Sequence, residues 1–265
     1  MASPEPEREP ESLAEGTLIS HLLELRMRLL RAVLAVAVVA IPCMVYANTL
    51  FTFIAQPLLK ALPKGATMIS INVMAPFTTP FKLALYVAIG IAMPFVLYQI
   101  WAFVAPGLYR HEKRFALPLL VSSVLLFYIG IACAYFVVFP VMFAFFTATA
   151  PAGVQMMTDM TQYLDFVLLL FLAFGLAFEI PVALVLLVWT GLVRIETLKK
   201  NRGYVLLAVF IQAAVIVPPD VLSMTAMALP MYALYEIGII MASILARAKI
   251  ERRAREAAEE EARGG

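Results

Sequence analysis

Six apolar stretches decide what this chain can fold into. They cover approximately residues 27–47, 77–102, 115–139, 163–190, 203–217 and 222–245, and a hydrocarbon core needs about 20 consecutive apolar residues in helical form. Lipid offers no partner to a backbone N–H or C=O, so each stretch must satisfy its own and reads as a helix. The spacing therefore predicts an all-α integral membrane protein with six transmembrane helices. A soluble reading fails on composition: with 63% hydrophobic residues and a mean hydropathy of +0.91, too few polar side chains remain to cover a surface in water. The fifth stretch is unusually short. Its fifteen residues between Arg202 and Pro218 reach only about 22 Å as a helix. The sixth contains Pro230, so the last two are expected to form a tight, displaced hairpin that thins the bilayer.

Lys and Arg set the orientation. Seventeen of the 20 fall in the amino-terminal arm, the 103–114 loop, the 191–202 loop or the carboxyl-terminal tail, against Lys60 and Lys64 on the other side and Lys82 inside the second stretch. Both termini are thus expected in the cytoplasm, which agrees with an even number of crossings. Residues 1–20 are acidic and Pro-rich with no apolar run, unlike a cleavable signal peptide, and are expected to form a disordered cytoplasmic tail. Residues 21–245 form the membrane domain. Residues 246–265 form a charged cytoplasmic tail whose composition suits a solvated helix.

The chain lacks the usual marks of an enzyme. Cys43 and Cys133 lie singly in apolar stretches, His21 and His111 sit at the ends of different ones, and no HExxH, GxSxG or phosphate-binding glycine loop occurs. No metal, cofactor or nucleic-acid partner is expected.

The acidic residues are more informative. Glu179 lies within the 163–190 stretch, where an ionised group costs several kcal/mol and often marks function. Pro181 follows it and should kink the helix. Three readings are open for Glu179: a protonated group hydrogen-bonded inside the bundle, a carboxyl on a water-accessible or partner-contacting face, and a member of a proton relay. Glu24 and Arg28 are four apart and can pair on one helix face, or Glu24 can act as a carboxylate at the cytoplasmic mouth. Glu112 stands among Arg110, Lys113 and Arg114, either as a neutralising neighbour or as a receptor for a cation. Trp101, Phe103 and Tyr109 suit a membrane interface. Lys82 can snorkel, and Glu236 needs a partner the sequence does not assign.

The blocks HLLELRMRLLR, PFTTPFKLAL, YQIWAFVAPGLYRHEKR, YFVVFP, AFGLAFEIPVA and VPPDVLSMTAMALPMYALYE resemble, in this order, the TatC family, the polytopic subunit of the bacterial twin-arginine protein translocase. The resemblance spans roughly residues 20–245. It implies a glove-shaped concave bundle in the bacterial cytoplasmic membrane that binds twin-arginine signal peptides of folded cargo. It also implies a larger complex with TatA-type and TatB-type single-span proteins, further copies of itself and membrane lipids, driven by the proton-motive force. By motif, signal-peptide binding would fall to Glu24, Arg26, Phe103 and Glu112. Pro57 on the first periplasmic loop, Glu179, and Asp220 in the PPD turn match other positions on which the family's function depends. The chain departs from the family at Val217 and Met224, where Thr and Gln are usual, which alters the expected contact with partner helices. The alternative is a proton-coupled small-solute transporter, which should show repeat symmetry around a midplane site; the halves of this chain share none.

Overall fold

The computed structural model describes residues 10–61, 68–104, 116–149, 157–217 and 220–264. These form helices α1 (Pro10–Val45), α2 (Ala47–Ala61), α3 (Ala75–Val104), α4 (Ala116–Cys133), α5 (Phe139–Ala148), α6 (Met160–Ala177), α7 (Ile180–Trp189), α8 (Ile195–Lys200), α9 (Arg202–Ile216) and α10 (Val221–Gly264), with a π-helical segment at Ala134–Val138. Among the described residues, five helical stretches are long and apolar enough to cross a membrane: Ser20–Val45, Ala75–Phe103, Leu117–Phe146, Met160–Trp189 and Val221–Ala248. The fifth expected span is the shorter apolar helix α9.

Packing between these helices rests on small residues and shape, because lipid is as apolar as the side chains it would replace. The α1–α3 seam illustrates this. Ala40 and Cys43 of α1, with Ala47 at the start of α2, pack with Ala84 and Ala88 of α3, letting the backbones approach. The α6–α7 unit is the centre of the bundle: 44% of its most apolar 18 residues are buried, against 17% for α1. Its Leu170, Phe174 and Ala177 pack with Met227 and Met231 of α10 in the largest core cluster.

Proline and glycine punctuate the helices for local reasons. Pro140 has no N–H to donate and its ring crowds the carbonyl four residues back; the chain accommodates it with the π-helical turn, where Phe139 N–H reaches Ala134 O. Gly191 ends α7 at φ +78°, which only glycine adopts without strain, and its N–H bonds to Val188 O at 3.1 Å.

Three sequence expectations need correction. Pro57 is expected on a loop after the first stretch, which ends at residue 47, but it lies on the helical backbone of α2, whose Ala47, Leu50, Phe51, Ile54 and Ala55 turn inward at helical spacing. Helix α1 begins at Pro10, so the second half of the expected disordered tail is helical, with proline at the first position, where its missing N–H costs nothing. Finally, Pro230 does not interrupt the last stretch: α10 continues unbroken through it.

Candidate functional site

The amino-terminal part of α1 and the carboxyl-terminal end of α3 meet at one end of the bundle. His21 stacks on Phe103 with ring centroids 4.3 Å apart and planes inclined by 21°. One turn along α1, Glu24 pairs with Arg28: Nε and Nη2 of Arg28 donate to the same oxygen, Oε1, at 2.9 and 2.5 Å. This is the spacing-of-four pair the sequence allows. It is not the two-oxygen fork that makes arginine–carboxylate pairs strong. Both side chains are partly exposed, and Arg26, in the same turn of α1 but turned away from the pair's face, is exposed. The structure therefore brings Glu24, Arg26 and Phe103 to one rim. Glu112 lies outside the described residues.

Glu179 sits elsewhere, at a break in the bundle's central helix. The α6–α7 unit is interrupted at Phe178–Glu179, where Pro181 supplies no N–H and Glu179 N bonds to Leu176 O at 3.1 Å. Neighbouring helices clamp this turn through two glycines. A Cβ on Gly130 of α4 would lie 2.6 Å from Phe174 O, and one on Gly238 of α10 would lie 2.9 Å from Pro181 Cα. The carboxyl meets the Ser123 hydroxyl of α4, which accepts from Trp101 Nε1 at 3.2 Å. Glu179 Oε1 is buried without a hydrogen-bond partner among the described residues. Along this path the carboxyl meets a serine and, behind it, a tryptophan, with no second titratable group on it among the described residues.

The α9–α10 junction holds the remaining candidates. Asp220 caps α10, its Oδ1 accepting from Ser223 N at 2.7 Å, and this backbone donor holds the carboxyl below its ordinary range. Val217 is 3% exposed and packed in the core, with Met224 partly buried against it. Val217 therefore presents its methyls to this chain's own interior. A polar residue there would serve the hairpin's packing before any outside helix.

Sequence reasoning missed the partners of two intramembrane ions. Lys82 Nζ pairs with Asp165 Oδ1 at 2.5 Å, joining α3 to α6. Glu236 receives Arg202 Nη2 at 2.7 Å and the Tyr232 hydroxyl at 2.9 Å, while Tyr235 donates to Leu198 O at 2.8 Å. These contacts tie α8 and α9 to α10. Opposite charges near the ends of different apolar stretches were the available signal, but helix adjacency was needed to match them.

Residues 20–230 match the family model described as Sec-independent protein translocase protein (TatC). The TatC of Azotobacter chroococcum mcd 1 is 53% identical over 230 residues, covering 87% of this chain and 90% of that protein. The TatC of Escherichia coli (strain K12) is 53% identical over 222 residues, covering 84% and 86%. Among solved structures, a crystal structure of the twin arginine translocase receptor TatC superposes with a TM-score of 0.77 at 36% identity, covering 84% of this chain and 98% of that one. A second, in DDM, gives 0.78 at 36% identity, covering 84% and 99%.

Proposed function

This chain belongs to the TatC family of Sec-independent protein translocase proteins, membrane components of a transport complex and not enzymes, and on that premise we propose that it receives twin-arginine signal peptides of folded proteins at the cytoplasmic face. The observation that carries this reading is the His21–Phe103 stack, which sets Glu24 and Arg26 beside the end of α3 from which the chain continues toward Glu112. An exposed pair at this spacing is worth about 0.3–0.5 kcal/mol, so Glu24 can exchange Arg28 for an incoming guanidinium at little cost. The arriving arginine gains the two-oxygen fork that Arg28 does not use. Arg26 and the basic loop residues keep the rim net positive, which disfavours basic peptides that lack the matched geometry.

In this proposal the chain crosses the cytoplasmic membrane of a bacterium six times, with α9 as the short fifth crossing and both termini inside. The glove-shaped bundle of residues 21–245 lies between two cytoplasmic tails. TatA-type and TatB-type single-span proteins, and further copies of the chain, assemble around it for export driven by the proton-motive force. A 15-residue crossing reaches about 22 Å and thins the bilayer beside it. Glu179 serves as the polar element of the α6–α7 break that shapes the bundle for assembly, Pro57 within α2 and Asp220 at the start of α10 support that shape, and Val217 and Met224 give an apolar α9–α10 contact.

The test is photocrosslinking of a twin-arginine peptide from a probe at Leu25, an exposed neighbour of Glu24. Glu24→Gln and Glu112→Gln should each lower the yield at least tenfold while leaving thermal unfolding in detergent unchanged. Wild-type yield in both variants would refute the assignment.

A further inference from the structure

A cavity of about 460 Å³ opens between α2, α3, α4 with its π-helical continuation, and α6. Phe53, Gly90, Phe127, Tyr135, Leu168 and Phe171 are among the residues that line it. The Tyr128 hydroxyl at its edge already donates to Gly90 O at 3.0 Å. A space of this size without polar partners does not hold water, and left empty it would forfeit the contacts of its whole lining. Within a bilayer, an acyl chain is the material at hand to fill it.

Charge identifies which lipid. On α3 the groove is lined along the row of Tyr86 and Gly90, and on α6 along the row of Leu168 and Leu172. One helical turn before each row stand Lys82 and Asp165 respectively, on the same faces by the three-to-four-residue repeat. These two ions pair with each other at 2.5 Å, so the apolar groove ends in one cation beside one anion. Both remain nearly half exposed, at 44% and 45%. A phosphate would find its counter-charge on Lys82, but a headgroup with only negative charge would also meet Asp165. A headgroup that adds an ammonium to the phosphate complements both.

We infer that this groove is a binding site for a zwitterionic phospholipid with a primary-amine headgroup, its acyl chain along the aromatic wall, its phosphate on Lys82 and its ammonium on Asp165. Gly90 offers a clean way to fill the groove, because a Cβ built there meets nothing within 4 Å.

The full-length chain, purified in mild detergent, is titrated with phosphatidylethanolamine and with phosphatidylglycerol of the same acyl chains, and bound lipid is read by native mass spectrometry. Phosphatidylethanolamine should be retained about tenfold over phosphatidylglycerol. Gly90→Leu should lower its retention at least tenfold with the unfolding midpoint unchanged. The double variant Lys82→Gln, Asp165→Asn, which leaves no unpaired ion, should bind the two lipids equally. Equal retention of both lipids by the wild type, or wild-type retention by Gly90→Leu, would overturn the assignment. So would a photoprobe at Phe53 that captures a protein helix in place of lipid.

Discussion

Glu24 and Glu179 are both carboxylates of this bundle, yet their surroundings differ in almost every respect. Glu24 lies on α1, the least buried of the candidate spans, and its partner Arg28 is a long, partly exposed side chain on the same helix. Glu179 lies in the most buried span, at a break clamped by Gly130 and Gly238, with a serine hydroxyl as its neighbour and one oxygen unpartnered. With Glu24 in its proposed role, the difference teaches how one chain would separate recognition from architecture. A charge that must be exchanged for another charge is kept at the rim, where breaking its pair costs a fraction of a kcal/mol. A polar group that shapes the interior is fixed by neighbours that cannot move without loss of packing.

The contrast can be broken most forcefully at its rigid end. Gly130→Ala places a methyl 2.6 Å from a backbone oxygen, and overpacking of this kind costs about 2 kcal/mol. Thermal unfolding in detergent should show that loss, whereas Gly90→Ala, with open space around it, should unfold like the wild type.

Removing the acid itself should matter less. Glu179→Gln keeps the shape and still accepts from Ser123, so its stability should change by less than about 1 kcal/mol. A loss much larger than this in the same assay would mean that Glu179 acts as an ion and would erase the distinction drawn from its surroundings.

At the flexible end, Arg28→Gln releases Glu24 from an internal competitor worth about 0.4 kcal/mol. Peptide titration should then show about twofold tighter binding of a twin-arginine signal peptide. Weaker binding would mean that Arg28 belongs to the recognition surface.

The mildest test concerns Asp220 and is visible only as a function of pH. Its carboxyl is held below the ordinary value of 3.8 by the Ser223 N–H, so the cap strengthens the fold fully above that value. The contribution fades as pH falls through the lower folded-state value. The wild type's advantage over Asp220→Asn in unfolding midpoint should be constant from pH 7 to about 5 and shrink below pH 4. An advantage that persists at pH 2 would show that ionisation of the cap is irrelevant.

Much of the fold was legible because lipid leaves the backbone so few choices. The stretch 77–102 became Ala75–Phe103 and the stretch 163–190 became Met160–Trp189, each within three residues of expectation. Helix α2 was obscured by its Asn, Thr, Gln and Pro, which read as loop; only packing against α3 and α6 selects the helical stripe of Leu50, Ile54 and Ala55. Pro230 reads as an interruption, but α10 continues through it, since a proline within a membrane helix is tolerated where neighbours re-satisfy the freed backbone groups. Within the candidate sites, the Glu24–Arg28 pair was readable because its partners are four residues apart. The partners of Lys82 and Glu236 lie 83 and 34 residues away, beyond any local periodicity.

The sequence by itself determined the solvent this protein folds in, the helical nature of its membrane segments and the family that its motifs resemble, since each depends on hydropathy or local order. Tertiary structure alone decided which ions neutralise one another, that His21 meets Phe103, that Val217 faces inward and that Glu179 occupies a clamped break. The reason is physical: in lipid, apolar side chains give little direction to helix association. Partner choice then rests on where small residues allow backbones to approach and which polar groups that approach brings within reach.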